Sequence, residues 1–157
     1  MHETLMVLAT GLGLGLSPWA SGTLGSLLGV PLAWWLLGRA RRVQAAMTLA
    51  LLLAAVPLCH LAEQALAAKD DGRIVLDEIV AFPVAVLGLA AARQPAVMAT
   101  AFVAYRVFDA AKPPPVSLAE AVPGGGGIVL DDLIAAAMAW LVMAGGLALW
   151  RRRQPSS

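Results

Sequence analysis

A chain of 157 residues that is 60% hydrophobic and 13% charged, with a net charge of +1 and a mean hydropathy of +0.79, lies above the roughly 45–50% apolar content of soluble domains. It reads as one membrane-embedded unit, a single domain over residues 1–157. Its basic residues form no stripe interleaved with aromatics, which excludes nucleic acid as a partner, and its lone Cys59 excludes an internal disulfide framework or a multi-cysteine metal site.

The first apolar run, residues 5–16, follows "MHET", which has no basic residue, so it is read as part of the mature chain rather than a secretion signal. Further runs cover residues 24–37, 43–58, 79–92, 96–108 and 133–150. Most fall short of the roughly 20 residues that cross a bilayer, so some are expected to be tilted, re-entrant or buried. Their Ala, Leu and Gly content favours helices, and Pro31, Pro57 and Pro83 are expected to kink rather than abolish helices packed in lipid. The expected fold is therefore all-α: a compact multi-helix integral membrane bundle with short segments. Trp19, Trp34, Trp35, Trp140 and Trp150 are expected at interfaces or against lipid. Cys59 and His60 are expected in the core, away from the acidic loops.

Charge divides these connections in two. If the run at 24–37 and the four after it all cross, then Arg39, Arg41, Arg42, Arg93 and Arg151 to Arg153 share one side. Three acidic connections, residues 17–23, 63–78 and 109–132, share the other. Asp77 and Glu78 directly precede one apolar segment, and Asp131 and Asp132 another. Acids at such boundaries are costly unless paired, protonated or metal-bound, although a first-turn carboxylate also offsets the helix dipole by about 0.3–1 kcal/mol. Asp77, Glu78, Asp109, Asp131 and Asp132 offer hard oxygen ligands without a thiolate or imidazole set, which suits Mg²⁺ better than Zn²⁺.

Phosphate chemistry fits the remaining motifs. In "YRVFDAAKPPP", Arg106, Asp109 and Lys112 recur at three-residue spacing along one helical ridge, and Pro113 ends the helix. In "SGTLGS", Gly22 and Gly25 permit close backbone approach, while Thr23 or Ser26 could cap a helix whose N–H groups face an anion. Gly124, Gly125 and Gly127 of "PGGGG" are expected to let the chain turn sharply. Each motif alone has a plainer reading, respectively an intrahelical ion pair, small-residue helix packing and a flexible loop.

Together, "SGTLGSLLGVP", "DDGRIVLDEIVA", "YRVFDAAKPPPV" and "GGGGIVLDDLIAA" resemble phosphatidylglycerophosphatase A, a family of bacterial membrane phosphatases, in order and approximate spacing. The resemblance implies Mg²⁺-dependent hydrolysis of phosphatidylglycerol phosphate to phosphatidylglycerol and inorganic phosphate, in phospholipid biosynthesis. By motif it assigns Gly22, Thr23, Gly25 and Ser26 to the first block and Asp77 and Glu78 to the second. Arg106, Asp109, Lys112 and Pro113 fall in the third, and Gly124, Gly125, Gly127, Asp131 and Asp132 in the fourth. The family pattern leads one to expect Pro at Ser21, Phe at Tyr105, Gly at Ala81 and Ala136, and His at Asp71. Asp70 and Asp71 stand as second-rank candidates in a turn closed by Gly72.

The expected catalytic and metal-binding residues are Asp77, Glu78, Asp109, Asp131 and Asp132. Arg106, Lys112 and the glycine-rich stretches containing Gly22, Thr23, Gly25, Ser26, Gly125 and Gly127 are expected to hold phosphate. The partners implied are the lipid substrate and the bilayer of a bacterial cytoplasmic membrane, crossed several times. Arginine counting sends the acidic face outward, whereas the implied substrate is made on the inner leaflet, and the chemistry favours a cytoplasmic site. A competing reading is a small non-enzymatic bundle that carries a cation along its acids. Against a phosphoalcohol transferase stands the missing Asp-Gly, Ala-Arg and spaced aspartate pattern.

Overall fold

The computed structural model describes residues 2–68, 71–119 and 121–153, and among these it is helical throughout with no strand. In chain order the helices are α1 (His2–Ala9), α2 (Ser21–Leu37), α3 (Arg41–Leu66), α4 (Leu76–Ala85), α5 (Pro95–Ala111), α6 (Val116–Ala119) and α7 (Gly125–Arg153). Single 3₁₀ turns at Leu14–Leu16 and Ala90–Arg93 join α1 to α2 and α4 to α5.

Two helices, α3 and α7, are long and apolar enough to cross a membrane. The rise from Arg42 to Glu63 on α3 is about 32 Å, and from Asp131 to Arg151 on α7 about 30 Å, at about 1.5 Å per residue. Both match the roughly 30 Å hydrocarbon core. The ten residues of α4 rise only about 15 Å, so this helix cannot cross and is buried instead. Val80, Ala81, Phe82, Pro83 and Ala85 are all enclosed, and α4 packs against α2, α3, α5 and α7. Close approach of α2 is possible because a Cβ on Gly29 would stand 2.8 Å from the Cβ of Phe82. Beyond Phe82 lie Phe102 and Tyr105 of α5, each with its ring centroid 5.8 Å away.

Several boundaries differ from the hydropathy reading. The run at 5–16 breaks after α1, with Leu12 and Gly13 in left-handed backbone. Helix α3 continues eight residues beyond the apolar run, to Leu66, and α7 begins at Gly125, eight residues before its run. The run at 79–92 divides into α4, a turn and a 3₁₀ turn. Pro31, Pro57 and Pro83 lie inside helices, as expected. The indole N–H of half-buried Trp140 donates to the Leu87 carbonyl at 2.8 Å, satisfying the turn that ends α4.

The two ends of the bundle are chemically opposite. At one, the Arg39 guanidinium lies over Trp35 at 4.5 Å and Arg93 over Trp34 at 5.8 Å. Buried Gln44 ties that end together, donating to the Arg39 carbonyl at 2.9 Å and accepting from the Gly88 N–H at 3.0 Å. At the other end the starts of α2, α4 and α7 meet the ends of α3 and α5, and the carboxylates gather there.

Candidate active site

Three stretches far apart in sequence line one pocket of about 250 Å³ at this acidic end. Gly72 and Ile74 come from the turn before α4, Asp77 and Glu78 from its first turn, Asp109, Ala110 and Lys112 from the end of α5, and Asp131 and Asp132 from the second turn of α7. All five carboxylates expected from the sequence therefore share a single cavity with Lys112. Asp131 and Asp132 are 6% and 3% exposed and lie well inside α7, so they are not end caps. Asp70 lies outside the described residues.

Two cations organise the acids. Lys112 ends α5 in left-handed backbone, with φ of 42°, and donates from Nζ to Asp131 Oδ2 at 3.0 Å. Arg106, one and a half turns earlier, makes a close ion pair with Asp109 through Nη1. The same nitrogen stands 3.3 Å from Glu78 Oε2 and 3.2 Å from the Ser26 hydroxyl. Burial pushes the Glu78 carboxyl above its usual range, opposed by the Arg106 charge and the Ser26 hydrogen bond.

The first motif supports this network at one remove. Ser26 is fully buried and its hydroxyl has two acceptors within reach, Glu78 Oε2 at 2.7 Å and the Gly22 carbonyl at 2.8 Å. Gly22 lies against the ion pair itself, since a Cβ there would come 2.5 Å from Glu78 Oε1 and 3.1 Å from Arg106 Nη2. No side chain caps α2, whose N-cap is Ala20. Thr23 is exposed, and Gly25 packs on Val75.

"PGGGG" turns sharply only at its first glycine and is not the flexible loop of the plainer reading. Only Gly124 is left-handed, with φ of 72°, and Gly125 already belongs to α7. Gly125 is pressed against α3, where a Cβ would stand 2.6 Å from the His60 nitrogen and closer still to the Val56 carbonyl. Gly127 packs on the Val122 carbonyl. Gly124 and Gly125 bring α7 against α3 and so set where Asp131 and Asp132 stand.

Sequence reasoning missed three residues. Tyr105, fully buried, donates its hydroxyl to Asp132 Oδ1 at 3.0 Å. The signal was available: it is the only tyrosine in the chain, it stands one residue before Arg106, and a buried phenol needs a partner. Cys59 and His60 were expected far from the acids, but the extension of α3 brings both to this end. The fully buried Cys59 thiol lies against the Asp77 backbone N–H, and His60 lies against Gly124. Asp71 instead closes a local turn, accepting from Arg73 Nε at 2.8 Å, Nη2 at 2.7 Å and the backbone N–H at 3.0 Å. The Arg73 hydrogen bond holds the Asp71 carboxyl below its usual range.

The family model for phosphatidylglycerophosphatase A matches residues 7–147. The chain belongs to the phosphatidylglycerophosphatase A family. An Escherichia coli protein of that name is 32% identical over 86% of this chain and 78% of its own length. A Haemophilus influenzae protein of the same name is 33% identical over 87% and 85%. A Bacteroides thetaiotaomicron relative, provisionally named a phosphatidylinositol-3-phosphatase, is 30% identical over 92% and 93%. No solved structure matches the chain. Within this chain, Ala81 and Ala136 replace expected glycines and both are fully buried, so the two extra methyl groups are accommodated in the core.

The carboxylates present an all-oxygen donor set to one cavity, which suits a hard divalent cation. Among the described residues no three acidic, imidazole or thiol side chains stand close enough to hold a metal ion as they are. Arg106 and Lys112 engage Glu78, Asp109 and Asp131 instead. The core between this cluster and the arginine end is lined by Phe82, Ala135, Ala136 and Ala139, an apolar interior unsuited to a cation path.

Proposed function

We propose that this chain hydrolyses the terminal phosphomonoester of phosphatidylglycerol phosphate, releasing phosphatidylglycerol and inorganic phosphate in phospholipid biosynthesis. The observation that carries this reading is the shared pocket, where five carboxylates and Lys112 converge beside Arg106 in a chain of this family. Mg²⁺ is the proposed cofactor, held by carboxylates among Asp77, Glu78, Asp109, Asp131 and Asp132. When bound, it supplies Lewis-acid charge to phosphoryl oxygens and to water.

The chain's own residues account for the remaining requirements. Arg106 and Lys112 exchange a carboxylate for the phosphate dianion and neutralise the charge that grows as the phosphorus–ester bond breaks. One carboxylate orients water for attack and takes its proton, and that proton is passed on to the glycerol oxygen that leaves as the phosphorus–ester bond breaks. Ser26 and Tyr105 act through Glu78 and Asp132, holding them in position. Cys59, fully buried, has no role as a nucleophile.

The proposed setting is a bacterial cytoplasmic membrane crossed several times, with the acidic end at the cytoplasmic face. Two apolar helices of membrane length support membrane residence, and the leaflet on which the substrate is made supports the orientation. The testing experiment measures phosphate release by purified protein from phosphatidylglycerol phosphate, phosphatidic acid and phosphatidylinositol 3-phosphate, with Mg²⁺ or EDTA. The proposal expects release from the first substrate to dominate and to stop with EDTA. Preference for phosphatidylinositol 3-phosphate would transfer the assignment to the other relative's named activity.

A further inference from the structure

The outer surface between α2 and α5 carries an apolar groove of about 320 Å³. Its walls include Leu27, Val30 and Trp34 from α2 and Met98, Phe102 and Val103 from α5. Leu27 and Val103 are 53% and 59% exposed at its mouth, while Met98 is 3% exposed at its floor. One end of the groove reaches the polar network: Leu27 follows Ser26, Val103 lies one turn before Arg106, and Ser26 and Arg106 are themselves hydrogen-bonded at 3.2 Å. The other end is closed by Trp34, over which the Arg93 guanidinium lies at 5.8 Å.

We propose that this groove receives one acyl chain of the lipid whose phosphate occupies the acidic pocket, an inference that rests on the lipid phosphatase reading above. Two features single it out. The rise along α5 from Pro95 to Arg106 is about 16 Å, half of the roughly 30 Å hydrocarbon core and so one leaflet deep. The groove also ends beside the site: Val103 at its mouth lies one turn before the partly exposed Arg106, which pairs with Glu78 and Asp109 of the acidic pocket. Of two other apolar grooves, one, about 410 Å³ between α5 and α7, includes Trp150 near the arginine end, and another, about 670 Å³ between α1 and α3, runs from Leu58 to Gln64 and Ala65, reaching the acidic end beside His60 rather than beside Arg106.

Because lipid tails are as apolar as the groove, little binding free energy comes from moving a chain out of the bilayer. The gain is orientation, in that a held chain presents the headgroup to the pocket in one pose. Filling the groove therefore lowers turnover of the long-chain substrate more than turnover of its headgroup alone.

The direct test is photolabelling of full-length protein in phosphatidylglycerol vesicles, using phosphatidylglycerol phosphate with a diazirine on one acyl chain. Labels concentrated on residues 27–34 and 98–103 are expected. Labels spread evenly around the bundle, or concentrated in either other groove, would overturn the proposal. A kinetic test accompanies it, with Ala99→Trp filling the groove and Leu53→Trp as a control on the exposed face of α3. For Ala99→Trp, kcat/KM on the dioleoyl substrate is expected to fall about tenfold more than on the chain-free glycerophosphoglycerol phosphate, whereas Leu53→Trp leaves their ratio unchanged. Equal losses on both substrates would refute the groove assignment while leaving the phosphatase intact. Absence of hydrolysis by wild-type protein would instead refute the phosphatase reading, and the labelling pattern would still report on the groove.

Discussion

Gly125 and Gly126 are adjacent, chemically identical and both helical, yet the structure gives them opposite responses to one added methyl group. At Gly125 a Cβ would stand 2.6 Å from the His60 nitrogen and 2.9 Å from its Cβ, closer still to the Val56 carbonyl. Most of these atoms are α3 backbone and cannot rotate away, so α7 must move. Overpacking of this kind costs about 1–3 kcal/mol or more, against a gain of up to about 1 kcal/mol from helix propensity. At Gly126 nothing lies within 4 Å, leaving only the propensity gain. Gly125→Ala is thus expected to lower the thermal midpoint in detergent and to reduce phosphate release by displacing Asp131 and Asp132, while Gly126→Ala raises the midpoint slightly and retains activity. If Gly126→Ala abolished release in a stable protein and Gly125→Ala were neutral, the glycines would act as a phosphate-approach loop, and the packing argument would be refuted.

Arg106→Met removes the group that pairs with Glu78 and Asp109 and is expected to lower kcat by about 10²–10³-fold, with a smaller loss of stability, checked by turnover and thermal unfolding of the same preparation. Cys59→Ser places a hydroxyl at a fully buried site and is expected to cost about 1–3 kcal/mol while preserving phosphate release per folded molecule. Loss of release from folded Cys59→Ser would contradict the metal-carboxylate scheme. Asp71→Asn is expected to leave turnover unchanged. Because Arg73 lowers the folded carboxyl's pKa, the stability contributed by Asp71 is present above the unfolded value of about 3.9. It disappears as pH falls through the lowered folded value, so unfolding of wild type and variant should converge in acid.

The convergence of acids was legible because charge cannot remain in hydrocarbon without a partner: alternating apolar segments left Asp77, Asp109 and Asp131 nowhere to go but one end. The lengths of α3 and α7 were less legible. His60, Glu63 and Gln64 interrupt the hydropathy of α3, yet the helix continues through them, with Gln64 Nε2 and His60 Nε2 3.1 Å apart one turn along. The four glycines looked like a loop because propensity disfavours them in a helix, but tertiary packing against the α3 backbone overrides propensity at Gly125. The partners of Ser26 and Tyr105, Glu78 at 2.7 Å and Asp132 at 3.0 Å, lie on other helices, and no local spacing encodes such pairings.

The most direct test of the metal-assisted carboxylate mechanism is phosphate release from phosphatidylglycerol phosphate across a Mg²⁺ titration, comparing wild type with Asp131→Asn and Asp132→Asn variants whose folding is verified by thermal unfolding. The account predicts Mg²⁺-dependent release by wild type and a fall of about 10²-fold or more in each folded variant. Release that is unaffected by EDTA, or that persists at the wild-type rate in both variants, would contradict it.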